Sequence, residues 1–323
     1  NASFPTSPDQ LSVEVLSAVL GRDVAQYAQV PLGVGRGNMG EIVRLDFVDG
    51  SPSLVAKFAA GHAQSLRAAK RSGLFEREVR FYQRLAPWLD VRTPSCHAAH
   101  YDPETALFFL LLDYLPSTVE LDTIAGIGSA DTALVLAELA KLHDQGRRFQ
   151  GEPWLQDMRF QGRIDNILDL VDRGWSPLAA ICPHAVDPDR GPWVRQRFLA
   201  LMDRMARLDQ TVVHGDLKPD NLQRAHDGVA ILDWQAVGYG PPAWDVAYAM
   251  INCLTIEDRR THEARLLSEY PHDLQGYEDA LLFPLVVAAA LTVLGDPNEP
   301  RRIALIRTTA ERAVAALEDP GVL

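Results

Sequence analysis

The chain has 323 residues, of which 47% are hydrophobic and 23% charged, so it can bury the core of two domains and is too apolar to be disordered. Its formal net charge of −12 disfavours a nucleic acid or an anionic membrane as partner, since both attract basic surfaces. Residues 117–323 carry −11 of that charge. This acidic half fits either a cationic ligand or a solvated acidic surface.

The chain carries three widely spaced cysteines and no Cys-x-x-Cys pair. Such spacing predicts free thiols in a reducing cytoplasm. No basic N-terminal region precedes an apolar stretch, so we expect no secretion signal. The longest apolar run, residues 281–294, is too short for a membrane span and contains Pro284. The sequence therefore predicts a cytoplasmic protein without a membrane partner.

The first predicted element is a helix over residues 8–20, where apolar residues recur at helical spacing. Ser7 or Asp9 is of the type that caps a helix, and Gly21 ends the pattern. We expect this helix to lie on the surface.

A glycine-rich pattern, G-x-G-x-x-G-x-[V/I], follows with Gly35, Gly37 and Gly40. Glycines let a backbone turn tightly and approach phosphates. A dinucleotide-binding loop would need a helix next, but residues 42–48 alternate with the period of two that is typical of a strand. A glycine loop between antiparallel strands is the arrangement of kinases, and a plain glycine hairpin is the alternative.

Lys57 lies inside an apolar strand predicted for residues 53–59. A lysine there requires anions, which phosphate oxygens or a helix carboxylate would supply. The helix predicted over residues 73–85 offers Glu78 and, as a competitor, Glu76. We prefer Glu78, because it lies at helical spacing from the apolar stripe of that helix.

A buried strand is predicted for residues 106–112, and Asp113, Tyr114, Leu115 and Pro116 end it. In a two-lobed kinase the chain crosses between lobes at such a point, and its backbone pairs with the adenine edge. Any buried strand followed by a turn has the same pattern.

Helices dominate the remaining chain. Residues 129–143 predict an amphipathic helix that Ser129 caps and His143 ends, and we interpret His143 as structural. Residues 150–210 predict helices separated by loops, and residues 278–317 predict two more helices.

The pattern His-Gly-Asp-x-x-x-x-Asn contains Asp216 and Asn221, and Asp233 follows at the end of an apolar run typical of a strand. These side chains suit the orientation of a hydroxyl and the binding of Mg²⁺ on a triphosphate. A plain turn and a strand-end cap would contain the same residues.

Three further polar residues lie close to Asp216 in the sequence, and each has its own predicted role. We predict that Asp220 caps the loop and that His214 packs within it. Lys218 either stabilises the transferred group or is simply solvated.

Taken in order, these motifs resemble those of the aminoglycoside phosphotransferase and choline kinase superfamily. The matching segments are Gly35–Gly40, Lys57, Glu78, His214–Asn221, Asp233–Gln235 and Gly240–Asp245. The last two segments are most similar to the ecdysteroid-kinase-like branch. The resemblance covers about residues 30–255. The chain differs from protein kinases at Trp234 and Gln235, which occupy the positions where protein kinases have Phe and Gly.

The resemblance implies an α+β, protein-kinase-like fold. A small N-terminal lobe would hold an antiparallel sheet plus a helix, and a larger C-terminal lobe would be mostly helical. The implied boundaries are a nucleotide-binding lobe at 1–112, a hinge at 113–116 and a catalytic, acceptor-binding lobe at 117–323.

The resemblance also implies ATP and Mg²⁺ as cofactors. Nucleotide-binding residues would be Gly35, Gly37, Gly40, Lys57, Glu78, Asp113, Tyr114 and Leu115. Asp216 would be the catalytic base or orient the hydroxyl, Asn221 and Asp233 would bind the metal, and Asp245 would brace the catalytic loop.

The acceptor is expected to be a small molecule. Only eleven residues separate Asp233 from Asp245 and no Ala-Pro-Glu occurs, which leaves no platform for a peptide. The sequence thus predicts an ATP-dependent O-phosphotransferase, a monomer or homodimer, that acts on a small-molecule hydroxyl. Choline or ethanolamine, an aminoglycoside and an apolar alcohol remain candidate acceptors, with a mild preference for a cation, and a non-catalytic nucleotide-binding pseudokinase is the alternative.

Overall fold

A computed structural model describes residues 4–32, 40–59, 63–158, 161–296 and 298–319 of the chain. The residues group into two compact units. The first comprises Asn1–Trp88, Arg92–Ser117 and Leu232–Ala236, and the second comprises Leu89–Val91, Thr118–Ile231 and Val237–Leu323. The lobe boundaries given above remain a prediction.

The first unit is built on a five-stranded antiparallel sheet. Its strands are β1 (Tyr27–Leu32), β2 (Gly40–Phe47), β3 (Leu54–Ala59), β4 (Cys96–Tyr101) and β5 (Phe108–Asp113), in the order β1-β2-β3-β5-β4. Its α-helices are α1 (Val13–Leu20), α2 (Ala63–Ser72) and α3 (Leu74–Arg80), and a π-helical segment, Phe81–Leu85, continues α3.

The period of two in β2 explains its place in the sheet. Val43, Leu45 and Phe47 are buried on one face, where Leu16 of α1 joins the same apolar cluster. Gly40 begins β2 opposite Ala59, and a Cβ there would lie 2.6 Å from the Phe58 carbonyl oxygen. The close approach of β3 therefore requires glycine at position 40.

The start of α1 differs from the prediction. Ser12 caps the helix, since its Oγ accepts a hydrogen bond from the Val15 amide at 3.2 Å, so the prediction of Ser7 or Asp9 is wrong. Pro8 instead begins a short 3₁₀ turn that ends before Leu11. Gly21 ends α1 in the left-handed conformation, at φ 62°, as predicted.

The second unit is mostly helical. Its helices are α4 (Gly128–Gly146), α5 (Gln161–Ile181), α6 (Gly191–Met205), α7 (Pro242–Cys253), α8 (Ile256–Ser268), α9 (Tyr277–Ala280), α10 (Leu282–Leu291) and α11 (Pro300–Glu318). Its strands form two short antiparallel pairs: β6 (Thr211–Val213) with β9 (Gly238–Gly240), and β7 (Leu222–Ala225) with β8 (Gly228–Ile231). No helix in the described residues is both long and apolar enough to cross a membrane.

Helix α4 also begins earlier than predicted. Gly128, at φ 75°, turns the chain into the helix, and the preceding Ile127 makes no side-chain capping bond. The assignment of Ser129 as the cap is therefore wrong, because Ser129 already lies inside the first turn.

The core of the second unit surrounds α7, in which all twelve residues are buried. Helix α5 packs against α10 through a glycine. A Cβ on Gly174 would lie 2.0 Å from the Ala289 carbonyl oxygen and 2.8 Å from Thr292 Oγ1. The backbone of α10 therefore sits closer to α5 than any side chain would allow.

We expect Gly174→Ala to lower the free energy of unfolding by about 1–3 kcal/mol, despite the better helix propensity of alanine, because the added methyl group meets a carbonyl on α10. Urea denaturation checks this. Ser176→Ala, at an exposed position of the same helix, is the control and should change stability by less than about 0.5 kcal/mol. Equal effects of the two substitutions would contradict the packing described.

Candidate active site

In the first unit, Lys57 lies on β3 between β2 and β5. Its Nζ is 2.5 Å from Glu78 Oε1 and 3.5 Å from Asp233 Oδ1. Glu78 belongs to α3 and its side chain is wholly buried. The pairing that the sequence suggested for Lys57 is thus present, and Glu76 instead lies 3.6 Å from Arg80.

The charges of this cluster depend on one another. Burial lowers the pKa of the Lys57 ammonium, but the negative charges of Glu78 and Asp233 outweigh it and hold that pKa above its usual value. Burial raises the pKa of the Glu78 carboxyl, and Lys57 opposes that rise. Lys57 is therefore a fixed positive charge in an apolar sheet.

Asp233 has an unusual backbone and an incompletely bonded side chain. Its φ is 60°, in the left-handed region that a non-glycine residue seldom adopts. Its Oδ1 is buried and accepts no hydrogen bond from the described residues. Lys57 Nζ, at 3.5 Å, is too far for a good hydrogen bond to this oxygen, which is therefore a suitable ligand for Mg²⁺, an ion that prefers oxygen atoms.

Trp234 fixes the segment that carries Asp233. Its ring stacks on Phe81, with centroids 3.7 Å apart, and its Nε1 donates to Thr93 Oγ1 at 3.0 Å. Arg77 Nε donates to the carbonyl oxygen of Gln235 at 3.0 Å. The short segment after β8 is thereby attached to α3 and its π-helical extension.

In the second unit, the loop between β6 and β7 carries Asp216. Its Oδ1 accepts a hydrogen bond from the Tyr248 hydroxyl at 3.0 Å. Its Oδ2 accepts from Lys218 Nζ at 2.6 Å and from Asn221 Nδ2 at 3.1 Å. Three donors from different positions hold the carboxylate in one orientation.

Asn221 is oriented through its nitrogen. Nδ2 also donates to the carbonyl oxygen of Asp216 at 2.8 Å. Both bonds use the amide nitrogen, so the amide oxygen takes no part in them and is the atom suited to a metal ion. The described residues contain no cluster of three His, Cys, Asp or Glu side chains that would hold a metal.

The loop is anchored on a buried carboxylate, that of Asp245 in α7. Its oxygens accept the backbone N–H groups of His214, at 2.6 Å, and Gly215, at 2.8 Å. His143 Nε2 lies 3.2 Å from the same carboxylate, and His143 Nδ1 lies 2.5 Å from the Tyr270 hydroxyl. The structure therefore places Asp245 as the brace of the loop and His143 as a structural residue.

Asp220 does not cap the loop as predicted. It accepts hydrogen bonds from Thr123 Oγ1 and, at 2.5 Å, from Arg301 Nη2 of α11. Arg301 Nη2 also lies 2.8 Å from Asp122 Oδ1. These bonds outweigh the effect of burial and hold the pKa of the Asp220 carboxyl below its usual value. Asp220 instead joins the loop to α11.

The other predicted nucleotide-binding residues are placed as follows. Gly35 and Gly37 lie outside the described residues. The N–H of Asp113 donates to Ser95 at 2.9 Å and that of Tyr114 to Ser53 at 3.0 Å, so both are already used. Leu115 is the third predicted residue of this segment. Among the described residues, its backbone N–H has no backbone hydrogen-bond partner.

The comparisons with known proteins identify the family. The model of the phosphotransferase enzyme family, APH, matches residues 47–283. The chain belongs to this family. No curated protein sequence matches the chain.

Solved structures show the same fold. A choline kinase of Streptococcus pneumoniae shares 18% identity, over 92% of this chain and 96% of its own, with a TM-score of 0.52. An amicoumacin kinase in complex with AMP-PNP, Ca²⁺ and amicoumacin shares 15%, over 92% of both chains, with a TM-score of 0.55. A GDP complex of an aminoglycoside 2′-phosphotransferase shares 14%, over 90% and 93%, with a TM-score of 0.59.

These matches confirm the α+β, protein-kinase-like fold that the sequence predicted. The family match confirms the predicted relationship to the phosphotransferase enzyme family, and the likeness to a choline kinase shows a shared fold. Membership of the ecdysteroid-kinase-like branch stays a prediction.

The sequence reasoning missed two residues that contact the loop between β6 and β7. Tyr248 lies three residues after Asp245 on the same helix, a spacing that places both on one face and could have revealed it. Arg301 lies eighty residues beyond the loop, so no local pattern could have pointed to it.

We expect Asp245→Asn to lower the free energy of unfolding by about 3 kcal/mol at pH 7, because an amide supplies one acceptor oxygen where the carboxylate supplies two. The expected pH dependence follows from the pKa of Asp245. Burial raises that pKa, but the hydrogen bonds that the carboxylate accepts from His143 and from the Gly215 backbone, together with the nearby His143 and His214 rings, outweigh it and bring the pKa below its ordinary value of 3.8. The stabilisation is therefore present above about pH 4 and is lost as the pH falls further.

Urea denaturation of wild type and variant between pH 7 and pH 3 measures this difference. It should be largest near neutral pH and shrink below pH 4. Stability curves that stay parallel over the whole range would contradict the role of the ionised carboxylate.

Proposed function

We propose that this phosphotransferase transfers the γ-phosphoryl group of ATP to a hydroxyl of a small molecule, with Mg²⁺ as cofactor. The observation that carries the proposal is the environment of Asp216. Its carboxylate is oriented by Tyr248, Lys218 and Asn221, in a loop whose backbone is anchored on buried Asp245. A fixed carboxylate is what the orientation of an attacking hydroxyl requires.

In the proposed reaction, the acceptor hydroxyl donates a hydrogen bond to Asp216. The hydroxyl oxygen attacks the γ-phosphorus, the bond from that phosphorus to the bridging oxygen breaks, and ADP leaves. The hydroxyl proton passes to Asp216 and then to solvent, so that the products are a phosphate ester, ADP and a proton.

Asn221 and Asp233 would bind the metal through their oxygens, since each carries an oxygen that its described hydrogen bonds leave available. When bound, Mg²⁺ neutralises phosphate charge and polarises the transferred group. Lys57 would bind the α- and β-phosphates in the orientation that Glu78 imposes.

Two related structures support the choice of a purine nucleotide. The amicoumacin kinase holds AMP-PNP and the aminoglycoside phosphotransferase holds GDP. We propose ATP, and GTP is the competitor that the assays below include. The names of these relatives refer to different acceptors, so the acceptor of this chain must be inferred from its own residues.

We expect Asp216→Asn to lower kcat by about 10²–10⁴-fold, because an amide cannot accept the hydroxyl proton. The measurement follows ADP formation and phosphate ester by ³¹P NMR over a panel of small alcohols, with ATP or GTP. Asp209→Asn is the matched control, since its side chain is 89% exposed and lies outside the loop. Undiminished transfer by the Asp216 variant would contradict the mechanism, and nucleotide binding without turnover by the wild type would favour the pseudokinase.

We expect Asp233→Asn to preserve the fold, because asparagine tolerates the left-handed backbone found at this position. The Mg²⁺ concentration for half-maximal activity should rise by at least ~10–100-fold. That is the loss of metal affinity caused in other proteins by removing a residue that only hydrogen-bonds a metal ligand. Calorimetric titration of Mg²⁺ in the presence of AMP-PNP provides an independent readout.

Asp49→Asn in the same unit is the control. That carboxylate is paired with Arg22 at the surface, at 3.0 Å, and its loss should leave Mg²⁺ affinity unchanged. Equal Mg²⁺ affinity in the Asp233 variant and the wild type would exclude Asp233 as a ligand.

A further inference from the structure

Arg163, in the first turn of α5, is a cation that the mechanism above does not use. Its Nη1 is buried and has no hydrogen-bond partner among the described residues. An N–H of a guanidinium removed from water without an acceptor is costly, more so than a neutral donor. Such a group is therefore expected to meet its acceptor in a bound molecule.

Arg163 is close enough to Asp216 to be affected by its charge. Burial lowers the pKa of the Arg163 guanidinium to about 10, and the negative charge of Asp216 opposes that decrease. Arg163 thus remains charged at neutral pH. It nevertheless forms no ion pair with Asp216, whose Oδ2 is occupied by Lys218 and Asn221 and whose Oδ1 is occupied by Tyr248.

Two cations, Lys218 and Arg163, lie within electrostatic range of the Asp216 carboxylate, although residues 117–323 carry a net charge of −11. The ammonium of Lys218, 2.6 Å away, already balances the carboxylate of Asp216. Arg163 adds a second positive charge, and the N-terminal end of the 21-residue α5 adds a partial positive charge. An amine or quaternary ammonium placed against Arg163 would be repelled by its guanidinium, whereas an anionic group would be attracted by it.

The chemistry of arginine indicates which anion. Its planar guanidinium donates two parallel N–H bonds to a carboxylate or a phosphate. Lys218 is already paired with Asp216, and in the proposed function it is the acceptor, through its hydroxyl, that binds beside Asp216. The group left for Arg163 is thus one carried by the acceptor.

We propose that the acceptor carries an anionic group, a carboxylate or a phosphate, next to the hydroxyl that is phosphorylated, and that Arg163 binds this group. The inference rests on the proposed function for the identity of the site, and it reverses the mild preference for a cation that the net charge suggested.

Matched acceptors test the proposal. The first set is glycerate, glycerol and ethanolamine, and the second is glucuronate, glucose and glucosamine, so that each set offers an anionic, a neutral and a cationic compound. The wild type should have the highest kcat/KM for an anionic member. Arg163→Met should lower that value by about 10–100-fold, mainly through KM, and change the value for the neutral member by less than about threefold.

Two variants serve as controls. Arg173→Met removes an exposed arginine of the same helix, paired with Asp169, and should leave the acceptor preference unchanged. Arg163→Lys keeps the charge and should restore part of the preference for anions. A fall in kcat that is equal for all acceptors, with KM unchanged, would overturn the proposal and show that Arg163 acts on the transferred phosphoryl group. A wild-type preference for the cationic members would overturn it as well.

Binding without catalysis separates this proposal from the proposed function. Thermal unfolding in sodium glycerate and in sodium sulfate, compared with sodium chloride at equal ionic strength, should give a larger increase in Tm for the wild type and Arg173→Met than for Arg163→Met. Equal increases in all three proteins would contradict an anion site at Arg163. Absence of turnover together with the expected difference in Tm would overturn only the phosphotransfer.

Discussion

The loop that carries Asp216 depends on the hydrogen bonds that the buried carboxylate of Asp245 accepts. This carboxylate accepts the N–H groups of His214 and Gly215, two backbone donors that the turn after β6 leaves without a strand partner. An ionised group inside a protein is tolerated only when such donors surround it. Because Asp245 lies on α7, whose residues are all buried, the position of Asp216 is fixed by the core of its unit.

A second fixed arrangement exists in the first unit and is maintained by different forces. The ammonium of Lys57 is held in an apolar sheet by Glu78 and Asp233, and the segment with Asp233 is held by the stacking of Trp234 on Phe81. The left-handed backbone of Asp233 costs free energy, and the stacking of Trp234 on Phe81 and its bond to Thr93 hold the segment in place. These contacts explain why the chain has Trp234 at the position where protein kinases have Phe.

The sequence predicted the elements and residue pairs that local patterns encode. The period of two in β2 and the lysine in an apolar strand pointed to β3 and Glu78, and the order of the motifs pointed to the fold. The helix starts at Ser12 and Gly128 were missed, because several polar residues near each start were equally suitable as caps. The bonds of Asp220 to Thr123 and Arg301 were missed because they join residues far apart in the chain, and only the folded structure brings these together. The same reason explains why the total charge of the second half suggested a cationic acceptor, whereas the charges beside Asp216 indicate an anionic one.

The central claim is the transfer of a phosphoryl group from ATP to a small-molecule hydroxyl. The most direct measurement incubates the wild-type protein with ATP labelled with ¹⁸O in the γ-phosphoryl group, Mg²⁺ and the acceptor sets used above, followed by mass spectrometry. We predict that the labelled phosphoryl group appears on an acceptor as a phosphate ester, and that the amount depends on Asp216. Label found only in unreacted ATP or in inorganic phosphate, for every acceptor, would contradict the account.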